Sequence, residues 1–587
     1  MIKLIKKLSS REYLLVGLVV VLTCMQVYLD LTLPDYMSEI TMLVQTEGSA
    51  MGDVYSAGFS MILCAVGSLI LSIVVAVIAA SIAANFAFIT RANVFEKVMR
   101  FSMKEVNSFS ISSLITRTTN DITQVQMLIV IGMQMLIKAP ITAVWAITKI
   151  ANKNESWTIV TGVAVVVLIC IVGTCLSLAV PRFKKLQTLT DNINKVSKEG
   201  LDGLNVVRAY NAEEYQGEKF EKANEDLTKT NLFTARTMSF LMPSIQMISS
   251  GLVLAIYLVG AVMINDAVGP DKMTLFSDMV VFSSYAMQVI MSFMMLVMVF
   301  MILPRASVSA RRINEVLDTK VSIVEGNVTS GIDKKQGEVE FKNVSFKYPG
   351  AEDYVLRNIS FTAKQGETIA FIGSTGCGKS TVINLLPRFY DVTEGEVLVN
   401  GLNVKEYTKN ALNTLIGYVS QRSVLFTGTI KTNIAFGDNA TPWKTDSDLS
   451  TSVEISQAGE FIEHLDDKCD AYVAQGGRNF SGGQKQRISI ARAVYRKPEI
   501  FIFDDSFSAL DYKTDQKLRK TLKEQCGDAT MLIVGQRIGT IKDADKIIVL
   551  EDGEIAGIGK HKELLTNCEV YKQIALSQLS EEELQHA

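Results

Sequence analysis

Paired cysteine is missing from this chain. Its eight cysteines are scattered between Cys24 and Cys568 with no CxxC spacing, which argues against a metal clip and a disulfide-stapled secreted scaffold. A reducing, cytoplasmic-side setting is the plain reading. Histidine is scarce too, at positions 464, 561 and 586 only. Charge of one sign is not in excess: the formal net charge is −3, so nothing marks a nucleic-acid binder. A signal peptide is not indicated either. The start "MIKLIKKLSSREYLLVGLVVVLTCMQVYLDLTLP" has a longer apolar run than a cleaved leader and no small-residue cleavage site.

What the chain does have is apolar length. With 587 residues, of which 48% are hydrophobic, it exceeds one ordinary domain, and its apolar residues gather in the first 305 positions in runs long enough to cross a bilayer. Six spans are predicted, at 12–33, 56–88, 127–148, 157–180, 243–264 and 275–304. Lys3, Lys6, Lys7 and Arg11 place the N-terminus in the cytoplasm. The expected first external loop carries Asp35, Glu39, Glu47 and Asp53 without Lys or Arg, whereas the internal segments 89–126 and 181–242 are rich in both. Those internal segments keep helical periodicity and lack Pro/Gly clusters, so they are expected to be extensions of the spans.

After Pro304 the polar stretch "RASVSARRINEVLD" still reads as helix, and turn-forming residues then mark a linker. The expected division is a membrane domain at 1–318, a linker at 319–336 and an α/β domain at 337–587, where short apolar strands alternate with helical segments. The fold class is therefore a six-helix membrane domain followed by an α/β P-loop domain.

The α/β domain contains "TIAFIGSTGCGKSTVINLLPRF". Gly373, Ser374, Thr375, Gly376, Cys377, Gly378, Lys379 and Ser380 fit G-x-x-x-x-G-K-[ST], with a strand before and a helix after, and Thr381 follows. Glycines let backbone N–H groups approach phosphate oxygens, and the helix N-terminus adds partial positive charge. Lys379 is expected on the β- and γ-phosphates and the Ser380 hydroxyl on Mg²⁺. "FIFDDSFSALD" at 501–511 is a buried strand ending in two acids. Asp504 suits the Mg²⁺ shell; a helix-capping Asp is the competing reading.

Between these stretches lies "NFSGGQKQRISIARAVYRKPEI". Here the sequence resembles the ATP-binding cassette family over essentially its whole length. Ser481, Gly482, Gly483 and Gln484 match the family signature, which is far more specific than a phosphate loop alone. The resemblance implies an ATP sandwich, in which the signature of one cassette covers the γ-phosphate held by another. One cassette in this chain means that a second must pair with it. The resemblance further implies that Tyr348 stacks on adenine and that Gln421 touches Mg²⁺ and senses the membrane domain. It implies too that the Ser508–Asp511 loop contacts the opposite cassette. A core aromatic, a surface Gln and a helix cap are the respective alternatives.

Three positions depart from the family pattern. Asp505 stands where a Glu polarises the attacking water, and its carboxylate is a methylene shorter. Gln536, in "LIVGQRIGTI", stands where a His precedes Arg537 and cannot carry imidazolium charge. Gln475 replaces a usual Glu. With Ser481 and Gly483 intact, the pattern is similar to the degenerate-site subunit of bacterial heterodimeric multidrug exporters. Asp505 and Gln536 then belong to an impaired site, while Ser481 and Gly483 complete the partner's hydrolytic one. Segments near 110–126, with Arg117, Asn120 and Asp121, and near 204–220 match coupling elements; solvated helix faces are the alternative.

The resemblance implies ATP and Mg²⁺ as cofactors, a different half-transporter as partner, a plasma-membrane setting and an amphipathic, drug-like cargo. A lipid or peptide exporter, or a nucleotide-gated channel or regulatory subunit, remains the alternative; the absence of an N-terminal peptidase domain lowers the processed-peptide version. Six Met between 287 and 301 suit a pliable apolar surface, or ordinary packing. Asp30 is costly if deep in the bilayer and so a candidate for cation contact, or it sits near the outer interface.

Overall fold

The computed structural model describes residues 2–5, 9–46, 49–151, 155–267, 271–332, 335–437 and 446–579. Lys6, Lys7, Glu47 and His586 lie outside the described residues. The chain divides into two compact units, 1–99 with 112–319, and 100–111 with 320–587.

In the first unit, six helical spans among the described residues are long and apolar enough to cross a membrane. In hydrocarbon every backbone polar group must be satisfied within its own segment, and helices do this. The first span, Ser10–Gln45, starts at a capping box in which Ser9 and Glu12 bond each other's backbone N–H. It runs helically through Pro34, which corrects the expected loop: Asp35 and Glu39 lie on helix, and the second span, Met51–Met99, begins soon after. The third is composite. Ile111–Thr118 and Asn120–Ile131 pass through a five-residue π turn, Gly132–Leu136, into Lys138–Ala151. Glu155–Asp202, Glu213–Asp266 and Asp271–Asp318 complete the set, and the helix expected beyond Pro304 is present. The interior packs around aromatics: Trp157 lies 5.3 Å from Phe282 and donates its indole N–H to Ile256 O at 3.2 Å. Phe59, Ile62 and Leu63 are exposed, as lipid-facing side chains are.

The second unit holds two main sheets. A four-stranded antiparallel sheet orders Leu356–Ala363, Val339–Phe346, Glu394–Val399 and Leu402–Asn403. The six-stranded sheet orders Glu554–Gly559, Lys546–Glu551, Thr368–Gly373, Thr530–Val534, Ile500–Asp504 and Ile416–Val419. Its last five strands are mutually parallel. Strand Ile500–Asp504 is buried along its whole length, which explains its unbroken apolar run, since a covered parallel sheet has no wet face.

The residues 100–111 belong to this second unit, just before the segment near 110–126 that sequence singles out. They carry the helix Met103–Phe109. Ser102 begins it, giving both its backbone N–H and its hydroxyl to Glu105 at 2.9 and 2.6 Å. Glu105 also accepts from Ser322 N at 3.3 Å, and Asn107 Nδ2 donates to Tyr390 Oη at 3.2 Å.

Candidate nucleotide site

Parallel strands in an open sheet bring their carboxyl ends to one edge, where ligands bind. Four adjacent strands do so here. Thr368–Gly373 leads into the phosphate loop, Thr530–Val534 into Gln536, Ile500–Asp504 into Asp505, and Ile416–Val419 into Gln421. Val534 pairs with both Phe371 and Asp504, so the strands end nearly level. Residues more than a hundred positions apart thereby converge.

The loop itself is shaped by glycine. Gly373 has φ 156, and a Cβ there would meet Leu550 O at 2.1 Å. Gly378 has φ 99, and its Cβ would meet Leu356 Cδ2 at 2.6 Å. Only a residue without a side chain fits either position. Gly376, with φ 89, faces open space. Ser374 and Thr375 are exposed beside it, while Cys377 is buried and packs beneath the loop. Lys379 Nζ arches back over the loop, donating to Gly373 O at 2.8 Å and Ser374 O at 2.7 Å. Helix Lys379–Leu385 starts at this point, so its free N–H groups face the same hollow. Backbone donors, an ammonium and a helix N-terminus make a fit cradle for polyphosphate.

Ser380 Oγ donates to Asp504 Oδ1 at 2.7 Å. Hydroxyl and carboxylate oxygens side by side suit a hard cation that keeps several waters, as Mg²⁺ does. These two residues would hold it, and when bound it would neutralise phosphate charge. Tyr348 bonds Thr381 through its hydroxyl at 3.0 Å and meets the Tyr390 ring edge-on, 5.2 Å away. A pocket of 280 Å³ opens beside them, with Lys104, Ser322, Lys347 and Gly350 among its walls. Tyr348 therefore borders space, as a base-stacking ring requires. Nothing in the sequence pattern singles out Tyr390, Asn107 or Glu105 beyond an aromatic in "RFYDV".

Asp505 is the centre of the departure. Its backbone φ is 47, the left-handed region that a non-glycine residue enters at a cost and that clusters at functional sites. Asp505 Oδ2 accepts from two amides at once, Gln421 Nε2 at 3.1 Å and Gln536 Nε2 at 2.8 Å. Ser508 Oγ caps its carbonyl at 2.9 Å. Burial pushes the Asp505 carboxyl above the usual carboxylate range, against the bonds from Gln421 and Ser508 and the charges of Lys379 and Arg537. Burial, together with the charge of Asp505, also raises Asp504, against the Ser380 bond and Lys379. Gln421 thus reaches Asp505 rather than Asp504, and Asp505 Oδ2 is taken up by two amides.

The signature is placed apart. Ser481 caps helix Gly482–Tyr495 and forms a capping box with Gln484, at 2.9 and 3.3 Å. Ser481 and Gly482 are exposed, and a Cβ at Gly483 would approach Ala509 O to 3.2 Å. Among the described residues, Ser481 and Gln484 bond each other across the helix start and not the phosphate loop. Asp511 caps helix Tyr512–Gln525 through Thr514 N at 2.9 Å, so the helix-cap reading of that residue is realised. Gln475 is exposed and opens a single turn, Gln475–Gly477.

Comparison with known proteins gives the same organisation. The ABC transporter transmembrane region model matches residues 15–293 and the ABC transporter model residues 356–508. An uncharacterized ABC transporter ATP-binding protein of Mycobacterium bovis is 36% identical over 92% of this chain and 93% of its own length. An ATP-dependent lipid A-core flippase of Aromatoleum aromaticum is 30% identical over 84% of this chain and 80% of its own length. The solved structure of a bacterial Atm1-family ABC exporter with ATP bound superposes with a TM-score of 0.81 at 23% identity, covering 97% of this chain and all of that one.

Proposed function

The chain belongs to the ABC transporter family, as a multi-pass membrane exporter with a cytoplasmic nucleotide-binding domain, and from that premise we propose that it is the ATP-retaining half of a heterodimer. Its own site, Tyr348, Gly373–Thr381, Gln421 and Asp504, binds Mg²⁺ and ATP. The observation that carries the reading is the double amide grip on Asp505. With one carboxylate oxygen bonded to both Gln421 and Gln536, and the side chain a methylene short, the carboxylate is held back from the position where a glutamate would orient water. A misplacement of about 1 Å can cost about 10²-fold in rate. Ser481 and Gly483 lie free of that site, Ser481 exposed and Gly483 half-buried. In this reading they complete a hydrolytic site whose phosphate loop and Glu the partner supplies. ATP binding closes the cassettes, hydrolysis at the partner's site resets them, and amphipathic compounds move outward by alternating access.

The test is ATPase activity of this chain purified alone and then with the candidate partner. Activity should require the partner, vanish with Glu→Gln at the partner's matching position, and survive Lys379→Ala here better than the equivalent change there. Brisk turnover by this chain alone would replace the heterodimer with a homodimer. A second reading keeps the pump and changes the cargo to a lipid; the flippase of Aromatoleum aromaticum supports it. Vesicle assays with fluorescent lipid separate the two.

A further inference from the structure

The membrane unit contains ionisable residues that the ATP chemistry does not use. Asp30 on the first span and Lys138 on the third form an ion pair at 2.9 Å. Both lie within the predicted spans 12–33 and 127–148, Asp30 about one turn from the outer end of its span. Charged side chains within an apolar span are costly and mark paths for substrates or ions. The pair is held unequally. Ser68 Oγ on the second span donates to Asp30 Oδ1, and Gln288 Nε2 on the sixth donates to Asp30 O at 3.3 Å. Asp30 is thus anchored by three other spans. Lys138 reaches it on a long flexible stem, two residues past the π turn Gly132–Leu136. Such turns interrupt helices mostly at functional positions, and relaxing one to α-helix rotates everything after it. The side chains of Lys138 and Asp30 keep 22% and 26% of their exposure, so the pair is not sealed.

We propose that Asp30 and Lys138 form the polar subsite for cargo, and that it selects zwitterionic amphiphiles; this rests on the exporter reading. The reason is charge balance. A cation displacing Lys138 from Asp30 leaves the ammonium unpaired at low dielectric, and an anion displacing Asp30 strands the carboxylate. Breaking a half-buried pair from one side leaves a partly desolvated charge without its partner and is unfavourable. A neutral molecule leaves the pair closed. Only a ligand with both signs replaces both partners, its ammonium on Asp30 and its anionic group on Lys138. Specificity against singly charged amphiphiles is then built from unpaired charge.

The experiment is equilibrium binding to the nanodisc-embedded complex of three radiolabelled probes sharing one dodecyl tail: a phosphocholine, a trimethylammonium and a sulfate. The phosphocholine should bind about tenfold more tightly than either other probe. Lys138→Met should invert the order in favour of the cation, and Asp30→Asn in favour of the anion. The exchange Asp30→Lys with Lys138→Asp restores a pair and should recover the zwitterion preference, even if the single variants assemble poorly. An unchanged order in both single variants, or in the exchange no order at all, overturns the proposal and leaves the pair a structural tie. Because binding needs no hydrolysis, the site stands if the charge rule holds while the partner-dependent ATPase of the exporter reading fails.

Discussion

Asp505 is one methylene shorter than a glutamate, and the structure adds what that length does. The short side chain places its outer oxygen where Gln421 and Gln536 both reach it. Lengthening alone leaves the amides free to follow. Asp505→Glu or Gln536→His singly should therefore raise turnover at this site only a few fold, while the two together recover about 10²-fold. In the proposed heterodimer, single-turnover hydrolysis with Glu→Gln at the partner's matching position reads this site alone. The neighbouring Asp504 sets the pH response. A carboxyl raised by burial costs stability when ionised above its unfolded value, and that cost is relieved as pH falls through the folded value. Mg²⁺, however, needs the ionised form. Acidification from about pH 7.5 to about pH 5.5 should thus weaken Mg²⁺-dependent nucleotide binding earlier than an ordinary aspartate would allow. Asp504→Asn should bind weakly and lose less affinity between the two values than the unaltered chain, which fluorescent ATP titrations would show.

At the scale of elements, the phosphate loop rests on two glycines that fail for different reasons than the third. Gly373→Ala drives a Cβ against a backbone carbonyl at 2.1 Å and should abolish nucleotide-dependent thermal stabilisation. Gly376→Ala meets no protein atom and costs about 1 kcal/mol for its left-handed backbone, so it should reduce that stabilisation less than Gly373→Ala does. The helix Met103–Phe109 depends on its start. Glu105 is buried at 5% exposure and ties Ser102 to Ser322. Burial would raise its carboxyl, but the bonds from Ser102 and Ser322 hold it below the usual range. Glu105→Ala should cost about 1 kcal/mol and loosen this helix, measured as faster hydrogen exchange across 102–109 with the sheet amides unchanged. The segment was hard to read in advance because seven helical residues between long spans carry no periodicity of their own; its capping box, "SMKE", is the one local sign.

For the whole molecule, each unit follows a rule that its sequence states openly. Runs of apolar residues with basic internal segments can only be spans, since hydrocarbon leaves no alternative to helix. A strand, a Gly-rich turn, Lys379 and Ser380 in that order fit the pattern of a phosphate loop. Those features, the signature at 481–484 and the anomalies Asp505 and Gln536 are local, and local chemistry is legible in one dimension. Helix past Pro34 was less so, because a proline inside a membrane helix is tolerated through rearranged bonding that no pattern announces. Tertiary structure alone decided which side chains meet: Gln421 with Asp505 instead of the metal-side Asp504, Tyr390 with Asn107, and Asp30 with Lys138 and Ser68. Each of those pairs joins elements 38 or more residues apart. Such contacts depend on strand order and helix register, which arise from the packing of the whole chain and are written in no short stretch of it.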